Sequence, residues 1–291
     1  WIACFLEERK LLSYGRLMAT FSARNTDLAY SLVTVNYRSA SSIGRMFRSL
    51  PADFFLKGEF IIVNNDVSEE AFLERMFRDI DSVRIINMGN NLGFSYACNR
   101  GAEIGRGTVL FFLNPDTRLL SASLEPVFQE FLKDERVIVA PRLSQGGREE
   151  PWSSGGTVSP VRILLQNMLP LSSFWAFFSD KSLSWASGAA LALRKQDFDF
   201  LSGFDEGYFL YYEDVDLCRR AKESGFRIRK NKNVVFSHHG GKSYAKEEVG
   251  KQKKAYFHSQ DRYIRKHYGL FWGRLFRILR IFRSFFFLKV C

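Results

Sequence analysis

Residues that are able to bind a cation occur at two separate places in this sequence. The apolar segment LFFLNPD, residues 110–116, ends on Asp116, and two of the four histidines, His238 and His239, are adjacent and precede two glycines. Those glycines permit the close approach of a ligand. One imidazole and Asp116 would form a site of few protein ligands that leaves positions for phosphate oxygens, which suits Mg²⁺ or Mn²⁺. A histidine at a strand end is more often a hydrogen-bonded loop residue, and this alternative stays open.

A group of acids is suited to accepting a proton. Glu213, Asp214 and Asp216 open a predicted helix directly after the aromatic segment YFLYY, residues 208–212. Acids in the first turn of a helix cap its amide groups and complement its dipole, and each contributes about 0.3–1 kcal/mol. The aromatic segment also predicts a flat wall of the kind that a sugar ring contacts, and partial burial there raises the basicity of a carboxylate. Helix capping and proton acceptance both remain open.

The cation-binding residues and the acids must be positioned by apolar segments, which alternate along the chain with segments of helical periodicity. The apolar segments are residues 30–37, 59–66, 83–94 and 108–116. The alternation predicts an α/β fold with a mostly parallel sheet covered by helices on both faces, and in such sheets ligands bind at the carboxyl ends of the strands. The polar side chains at those ends are Asn36, Asn64, Asn65, Asp66, Asn90, Asn91, Asn114 and Asp116. The sequence therefore predicts a binding site along one edge of the sheet rather than ordinary turn chemistry.

The second half of the chain begins with the Gly/Ser-rich stretch PRLSQGGREEPWSSGG, residues 141–156, which predicts a mobile loop. The stretch SWASGAALALRK, residues 184–195, predicts a strand that is entered through a tight Ser-Gly-Ala turn. A helix is predicted from about Glu213 to a stop at Gly225. The segment NVVFSHHGGKS, residues 233–243, predicts a further strand that runs into a His-Gly turn.

Length and composition allow one large α/β domain with an appendage, or two modest domains, because 291 residues of which 46% are hydrophobic can bury a substantial core. The net charge of +11 favours anionic partners. A nucleic-acid-binding protein is the alternative, but we expect no nucleic-acid partner because no zinc finger, RNP motif or basic recognition helix occurs. The four widely spaced cysteines favour a reducing compartment. We find no secretory signal pattern and no apolar run of about 20 residues.

The C-terminal segment, residues 271–291, has the periodicity of an amphipathic helix. Its apolar face comprises Phe271, Leu275, Ile278, Phe282 and Phe285, and its opposite half comprises Arg274, Arg277, Arg280 and Arg283. This pattern is typical of a helix that lies in a membrane interface, and the arginines favour an anionic membrane surface. The alternative is a terminal helix that packs on the domain with its arginines in solvent.

Four segments, in their order and spacing, resemble the family 2 glycosyltransferases with a Rossmann-like GT-A fold, in particular the bacterial rhamnosyltransferase-like branch: LNPDT, SGAALALRK, GFDEGYFLYYEDVDLCRRAKESGF and HHGGKS. The segments TVNY, IIVNND and NNLGFSYACNRG are similar to the nucleotide-binding half of that family. The resemblance extends over residues 30–269. It implies an inverting, metal-dependent enzyme that moves a sugar from a nucleotide-diphosphate donor to a hydroxyl group.

The resemblance also implies the surroundings of this reaction. The acceptor would be a glycan or a polyprenyl-diphosphate-linked glycan used in cell-surface polysaccharide synthesis. By analogy with the family, the donor would be thymidine-diphosphate rhamnose. The enzyme would be cytoplasmic and peripheral on the inner face of the cell membrane. A sugar-nucleotide-binding module without catalytic activity is the remaining alternative.

The roles of individual residues follow from the same resemblance. Asp116 stands in the family's Asp-x-Asp metal motif, where Asn114 replaces the first acid, and His238 is the second metal ligand unless His239 takes that place. Asp214 is the general base that takes the proton from the acceptor hydroxyl group. The residues expected on the acceptor side are Gly188, Ala189 and Glu213. The residues expected to contact the donor are Asn36, Asn64, Asn65, Gly93, Arg100, Asn114 and Asp116.

The sequence departs from the family pattern at two places. Asn64 stands where the family commonly has an aspartate, so its contact with the donor base lacks a charge. Tyr96 and Cys98 replace small residues in the segment after Gly93.

The predicted organisation has four parts. Residues 1–27 form an N-terminal extension of unknown role, and residues 28–140 form the nucleotide-sugar-binding half. Residues 141–269 form the acceptor-binding and catalytic half. Residues 270–291 form a basic, amphipathic, membrane-associating tail.

Overall fold

A computed structural model of the protein describes residues 29–52, 54–150, 153–163, 183–238 and 246–287, and in the last range it describes the side chains of residues 250–279. The predicted extension at residues 1–27 and the candidate ligand His239 lie outside the described residues. The side chains of four predicted tail residues lie outside them as well: Arg280, Phe282, Arg283 and Phe285.

The described strands form one large mixed sheet and one small one. The strands are β1 (Tyr30–Asn36), β2 (Gly58–Asn64), β3 (Val83–Asn87), β4 (Val109–Leu113), β5 (Thr117–Leu119), β6 (Val137–Gln145), β7 (Arg148–Glu149), β8 (Ser154–Gly155), β9 (Trp185–Ala186), β10 (Ala190–Arg194) and β11 (Arg227–His238). The order in the large sheet is β3-β2-β1-β4-β10-β6-β11-β5, with β7 paired to β6, and β8 pairs with β9 separately.

Most strands of the large sheet run in the same direction. β1 pairs in parallel with β2 and β4, β2 with β3, and β6 with β11. Among the described strands of this large sheet, only β10, β5 and β7 run antiparallel to their neighbours. The predicted α/β class with a mostly parallel sheet is therefore confirmed.

Helices cover both faces of this sheet, as predicted. They are α1 (Ala40–Ser49), α2 (Phe54–Lys57), α3 (Glu70–Phe77), α4 (Phe94–Ile104), α5 (Glu125–Lys133), α6 (Lys195–Phe200), α7 (Glu213–Glu223), α8 (Lys246–Tyr268) and α9 (Leu270–Phe287), and a 3₁₀ turn precedes α3. Neighbouring side chains of a strand point to opposite faces. Leu32 of β1 accordingly packs in one core with Phe47 of α1, whereas Val33 packs in a second core with Ala97 of α4.

The segment at residues 141–156, predicted to be a mobile loop, contains strands instead. β6 continues to Gln145 beside β11, and β7 then folds back so that Ser144 pairs with Glu149. Gly146 and Gly147 have positive φ values of 60° and 81° and form the turn between the two strands. Because glycine adopts such angles without a steric penalty, the two glycines mark a tight hairpin here rather than a loop.

In the segment at residues 184–195, the predicted Ser-Gly-Ala turn is present and leads into β10, because the Ala190 N–H donates to the Ser187 carbonyl (3.2 Å). The short strand β9 precedes this turn. At the turn, the Ser187 N–H donates to the Ser153 carbonyl (2.9 Å) and the Gly188 N–H donates to the Asp214 carboxylate (2.8 Å). These two N–H groups are therefore not available for pairing within the large sheet, and β10 begins only at Ala190.

Helix α8 is tied to α7 by the buried carboxylate of Asp216. This carboxylate accepts hydrogen bonds from Nε of Arg220 (2.8 Å) and Nε2 of His267 (2.7 Å), and Nζ of Lys266 lies 2.8 Å from it. Burial opposes its charge, but these partners outweigh burial and hold the pKa of Asp216 well below its usual range. The end of α8, which leads directly into α9, is thereby fixed against α7.

The predicted tail helix is present as α9, and it has two apolar faces. Phe276 is buried in a cluster with Tyr263 of α8, so part of the helix packs on the domain. Phe271 and Ile278, on the face predicted from the sequence, are 72% and 49% exposed. The exposed arginines in this part of the helix are Arg274 and Arg277. Within the described residues, no helix has both the length and the apolar character needed to cross a membrane.

Candidate active site

A row of asparagine side chains joins the carboxyl ends of three strands. Asn36, Asn64 and Asn87 end β1, β2 and β3 in register. Nδ2 of Asn36 donates to Oδ1 of Asn64 (2.8 Å), and Nδ2 of Asn64 donates to Oδ1 of Asn87 (2.9 Å). The structure thus brings the predicted donor residues Asn36 and Asn64 together. It adds Asn87, which the sequence signalled by its place at the end of the third strand.

This asparagine row ends on a carboxylate at each side. Oε2 of Glu69 accepts from Nδ2 of Asn36 (3.0 Å) and from the N–H groups of Ser39 (2.8 Å) and Ala40 (3.2 Å) at the start of α1. At the other side, Nδ2 of Asn87 donates to Oε1 of Glu74 (3.3 Å). Both acids lie outside the predicted site because they belong to the turn and helix that follow β2.

Asn65 and Gly93, both predicted to contact the donor, are in direct contact with each other. Nδ2 of Asn65 donates to the Gly93 carbonyl (3.1 Å), while Oδ1 of Asn65 is buried without a hydrogen bond. Gly93 has a φ of 93°, and a Cβ atom there would lie 2.7 Å from the Phe209 carbonyl oxygen. Only glycine therefore allows the segment before α7 to approach α4 this closely.

Arg100 does not join these residues. Its guanidinium group pairs with Glu103 (2.9 Å) and Glu206 (3.5 Å) and lies 5.1 Å from the centre of the Tyr96 ring. Both carboxylates are substantially exposed, so Arg100 stands at the outer side of α4. Its predicted contact with the donor stays a prediction.

The NPD segment forms a tight turn between β4 and β5. The Asn114 carbonyl accepts hydrogen bonds from the Thr117 N–H (3.1 Å) and from the Thr117 hydroxyl (2.8 Å). Pro115 suits the second position of such a turn, because its φ is fixed near −65°. The Asn114 N–H donates to the carbonyl of Ala189 (3.0 Å), which attaches this turn to the predicted acceptor side.

His238 lies between two carboxylates at the end of β11. Its Nε2 is 3.3 Å from Oδ1 of Asp116, as the predicted cation site requires, and its Nδ1 is 2.8 Å from Oε2 of Glu150. Burial lowers the pKa of His238, but the hydrogen bonds and charges of Asp116 and Glu150 outweigh it and raise this pKa to about 9. Glu150 was missed because it lies in the segment taken for a loop.

The Asp116–His238 pair suits a divalent cation by its chemistry. One carboxylate and one imidazole are good ligands for Mn²⁺, and two ligands at about 2.1 Å from an octahedral ion lie about 3 Å apart. The observed separation of 3.3 Å is close to that value. Within the described residues, no group of three or more His, Cys, Asp or Glu is arranged to hold an ion. A site of two protein ligands would leave the other positions to phosphate oxygens and water.

Asp214 is held by backbone amide groups at the start of α7. Its Oδ2 accepts from the Gly188 N–H (2.8 Å), and its Oδ1 accepts from the Val215 N–H (2.8 Å). Burial raises the pKa of Asp214, and these hydrogen bonds oppose the rise. The predicted base is therefore joined to the predicted acceptor residue Gly188.

Glu213, the neighbouring acid, is buried and its Oε2 has no hydrogen bond. Burial, with the charge of Asp214, raises the pKa of Glu213 well above its ordinary value. Two adjacent buried carboxylates do not both ionise readily, and the amide groups of Gly188 and Val215 donate to Asp214, so this geometry favours the proton on Glu213 and the charge on Asp214. Glu213 can therefore donate a hydrogen bond, while Asp214 can accept a proton.

The aromatic segment before α7 mostly forms core rather than a wall for a ligand. Tyr208 and Tyr212 are buried, and Phe209 is the most exposed of the five residues, at 47%. Tyr211 and Tyr212 have φ values of 69° and 67°, a left-handed conformation that costs of the order of 1–3 kcal/mol per residue. Packing holds this conformation, because the Tyr212 hydroxyl accepts from Nε2 of Gln260 (2.9 Å) in α8. Two of the four aromatic side chains of the predicted wall, Tyr208 and Tyr212, are therefore part of the core instead.

Solved structures establish the architecture. GalNAc-T7 with UDP, GalNAc and Mn²⁺ aligns with a TM-score of 0.58 and 16% identity, over 75% of this chain and 45% of that one. The mannosyltransferase PcManGT from Pyrobaculum calidifontis, in complex with GDP-Man and Mn²⁺, aligns with a TM-score of 0.55 and 14% identity, over 91% of this chain and 74% of that one. At such identities the similarity shows the fold alone, and the predicted GT-A fold is confirmed.

Curated relatives are similar in sequence. The rhamnosyltransferase WbbL of Escherichia coli is 30% identical over 73% of this chain and 85% of its own length. The N-acetylglucosaminyl-diphospho-decaprenol L-rhamnosyltransferase of Mycobacterium tuberculosis is 24% identical over 80% of this chain and 84% of its own. The low-salt glycan biosynthesis hexosyltransferase Agl10 of Haloferax volcanii is 26% identical over 68% of this chain. This chain spans 63% of that last relative, less than two thirds of its length.

The family follows from these comparisons. Residues 31–184 match glycosyl transferase family 2, which is more than half of the chain. The matched range includes Asp116 and ends before Asp214 and His238. The chain belongs to glycosyl transferase family 2, and its resemblance to the rhamnosyltransferase-like branch is confirmed.

Replacement of Glu213 by glutamine is expected to change how stability depends on pH. Because the pKa of Glu213 is raised in the folded state, the wild-type protein loses stability as the pH rises above the unfolded value of about 4.3. The Glu213→Gln variant has no such loss. Its melting temperature relative to wild type should therefore increase between pH 4 and pH 8, by roughly 2–4 °C for each kcal/mol of unfolding free energy that the wild-type protein loses.

Differential scanning calorimetry across this range is the measurement. Glu223→Gln is the control, because Glu223 lies in the same helix with a side chain that is 57% exposed. A difference between Glu213→Gln and wild type that stays constant with pH would contradict the assignment of the buried proton.

Proposed function

We propose that the protein is an inverting glycosyltransferase that transfers a sugar from a nucleotide-diphosphate donor to a hydroxyl group of an acceptor. One observation supports this most strongly: Asp214 and the turn that holds Asp116 are attached to two adjacent residues, Gly188 and Ala189. The Gly188 N–H donates to Asp214, and the carbonyl of Ala189 accepts from the N–H of Asn114. A proton acceptor and a cation site then face one substrate, as such a transfer requires.

In the proposed reaction Asp214 accepts the proton of the acceptor hydroxyl group. The hydroxyl oxygen forms a bond to the anomeric carbon while the bond from that carbon to the diphosphate oxygen breaks. One displacement of this kind inverts the anomeric centre and requires no carboxylate nucleophile. The protonated Glu213 beside Asp214 suits a hydrogen bond to an acceptor oxygen, while the buried position of both acids keeps Asp214 basic.

Asp116 and His238 are proposed to hold Mg²⁺ or Mn²⁺ on the donor side. When bound there, the ion would neutralise charge on the departing diphosphate. The nucleoside is proposed to lie against the asparagine row of Asn36, Asn64 and Asn87. Negative charge at this edge comes from Glu69 and Glu74 at the two ends of the row, rather than from residue 64 itself.

The donor sugar and the acceptor are proposed from the relatives. Two of them are named as rhamnosyltransferases, and one of these has a name that specifies an acceptor linked to decaprenol through a diphosphate. We therefore propose rhamnose from thymidine-diphosphate rhamnose as the sugar. A polyprenyl-diphosphate-linked glycan is the proposed acceptor, in the synthesis of a cell-surface polysaccharide.

Such an acceptor requires access to a membrane, and α9 offers a surface for it. Phe271 and Ile278 are exposed on one face of this helix, and Arg274 and Arg277 are exposed beside them. Apolar and basic side chains on one exposed helix favour binding to an anionic lipid surface. We propose that the protein binds the cytoplasmic membrane face through α9.

The substitution Asp214→Asn tests the role of the base. It should lower the rate of transfer about 10²- to 10⁴-fold, because an amide cannot accept the proton. Donor affinity, measured by calorimetry, should change little, since the amide oxygen can still accept one of the two hydrogen bonds, from Gly188 or from Val215, and Asp214 is not among the proposed donor contacts. Asp199→Asn, at an exposed position of α6, is the control. Unchanged turnover in Asp214→Asn would remove Asp214 from this role, and absence of turnover in wild type with every donor would favour a binding module.

A panel of sugar nucleotides tests the donor and the cation site. Thymidine-diphosphate rhamnose with Mn²⁺ should raise the melting temperature most, because a ligand at 100 times its dissociation constant stabilises a protein by about 2.7 kcal/mol. Asp116→Ala should abolish the part of this shift that depends on Mn²⁺, and Asp199→Ala should preserve it. Transfer activity that EDTA leaves intact would contradict the cation site.

Partition between buffer and anionic liposomes tests the membrane surface. The double substitution of Phe271 and Ile278 by serine should reduce binding at least tenfold, because full burial of such side chains contributes roughly 1.5–3 kcal/mol each. These substitutions leave the buried Phe276 in place. Leu132→Ser is the control, because Leu132 is 87% exposed on α5. Equal binding of all three proteins would show that this face does not contact lipid.

A further inference from the structure

The carboxylate of Glu150 contacts Nδ1 of His238, the ring nitrogen that faces away from the proposed cation site. Oε2 of Glu150 lies 2.8 Å from Nδ1 of His238, and Nε2 of the same ring lies 3.3 Å from Oδ1 of Asp116. The side chains of Glu150 and His238 are only 15% and 13% exposed. The imidazole of His238 thus lies between two acids, Asp116 and Glu150. Of these two acids, the proposed function gives a role only to Asp116.

The hairpin between β6 and β7 places Glu150 at this position. β6 runs parallel to β11, with Leu143 beside Phe236, so the end of β6 lies next to the end of β11. The turn at residues 146–147 reverses the chain, and the Glu150 N–H then donates to the carbonyl of Leu143 (3.0 Å). The Glu150 carbonyl accepts from the N–H (3.1 Å) and the hydroxyl (2.8 Å) of Ser153. Hydrogen bonds therefore hold both the backbone N–H and the backbone carbonyl of Glu150.

The two nitrogens of a neutral imidazole differ, since one carries the hydrogen and the other the lone pair. A carboxylate that accepts from Nδ1–H fixes this tautomer and leaves the lone pair on Nε2. Such a partner also fixes the plane of the ring, and removal of partners of this kind from metal-binding histidines typically lowers metal affinity 10–100-fold. Glu150 has the geometry for this role, because it contacts Nδ1 while Nε2 points to Asp116.

We propose that Glu150 is a positioning residue, which holds His238 in the Nδ1–H tautomer so that Nε2 is available to bind a divalent cation together with Asp116. This inference rests on the cation site of the proposed function. Glu150 acts through His238 and does not itself contact the substrate.

Mn²⁺ binding to the full chain, measured by the electron paramagnetic resonance signal of free Mn²⁺, tests the proposal. Glu150→Ala should lower the affinity for Mn²⁺ 10–100-fold. Glu150→Gln should lower it less, because its amide oxygen can still accept from Nδ1–H. Glu149→Ala is the matched control, since the neighbouring Glu149 is 46% exposed and pairs with Lys230 instead. Its affinity for Mn²⁺ should equal that of wild type.

A second measurement separates positioning of the ring from general support of the fold. Nitrogen-15 NMR of the histidine rings without metal, at a pH where His238 is neutral, should show the Nδ1–H tautomer in wild type and in Glu150→Gln. In Glu150→Ala the ring should shift towards the Nε2–H tautomer. If Glu150→Ala does not fold, Glu150→Gln and wild type still provide the comparison, because the wild-type ring must show the Nδ1–H form.

The outcomes distinguish this inference from the proposed function. If Mn²⁺ binding is lost in Asp116→Ala but is the same in wild type and Glu150→Ala, the role of Glu150 is wrong and the cation site stands. If Mn²⁺ binding does not depend on Asp116, both are wrong. An Nε2–H tautomer of His238 in wild type would also overturn the role of Glu150.

Discussion

Two backbone hydrogen bonds at residues 188–189 hold the two sides of the candidate site together. The Gly188 N–H donates to the Asp214 carboxylate, and the carbonyl of Ala189 accepts from the Asn114 N–H at the start of the turn that contains Asp116. β10 begins directly after these residues and lies between β4 and β6, so the sheet itself fixes where this turn lies. The distance between the proposed proton acceptor and the proposed cation site is therefore set by the fold rather than by flexible side chains.

The electrostatic state of the acceptor side depends on elements far along the chain. Two amide groups stabilise the charge of Asp214, while burial and the charge of Asp214 raise the pKa of Glu213. The strained backbone before α7 is held by the contact of Tyr212 with α8, and Asp216 ties the end of α8 to α7. Because α9 follows α8 directly, the proposed membrane surface is attached to the helix that contacts both Tyr212 and Asp216, on either side of the proposed base Asp214. The C-terminal helices therefore support the site as well as covering the domain.

Sequence patterns predicted the parts of the structure that depend on local chemistry. Long apolar strands and the asparagines that end them identified the sheet edge at Asn36 and Asn64, and the acids of α7 marked its first turn. The predictions failed where pairing between distant segments decides the structure. Two glycines and several serines resembled a loop, but pairing with β11 makes this segment a hairpin that places Glu150 beside His238. Similarly, Tyr208 is buried in a cluster with residues of α7 and α8. The residues next to Tyr208 in the sequence do not indicate this burial.

The proposed mechanism requires that Asp116 and Asp214 face one sugar. A crystal structure with Mn²⁺ and a non-transferable analogue of the donor tests this claim most directly, because the anomalous signal of manganese locates the ion. We predict that the ion lies on Asp116 and His238 against the diphosphate, with the Asp214 carboxylate on the opposite side of the anomeric carbon. An ion bound elsewhere, or a sugar whose anomeric carbon faces away from Asp214, would contradict the proposed mechanism.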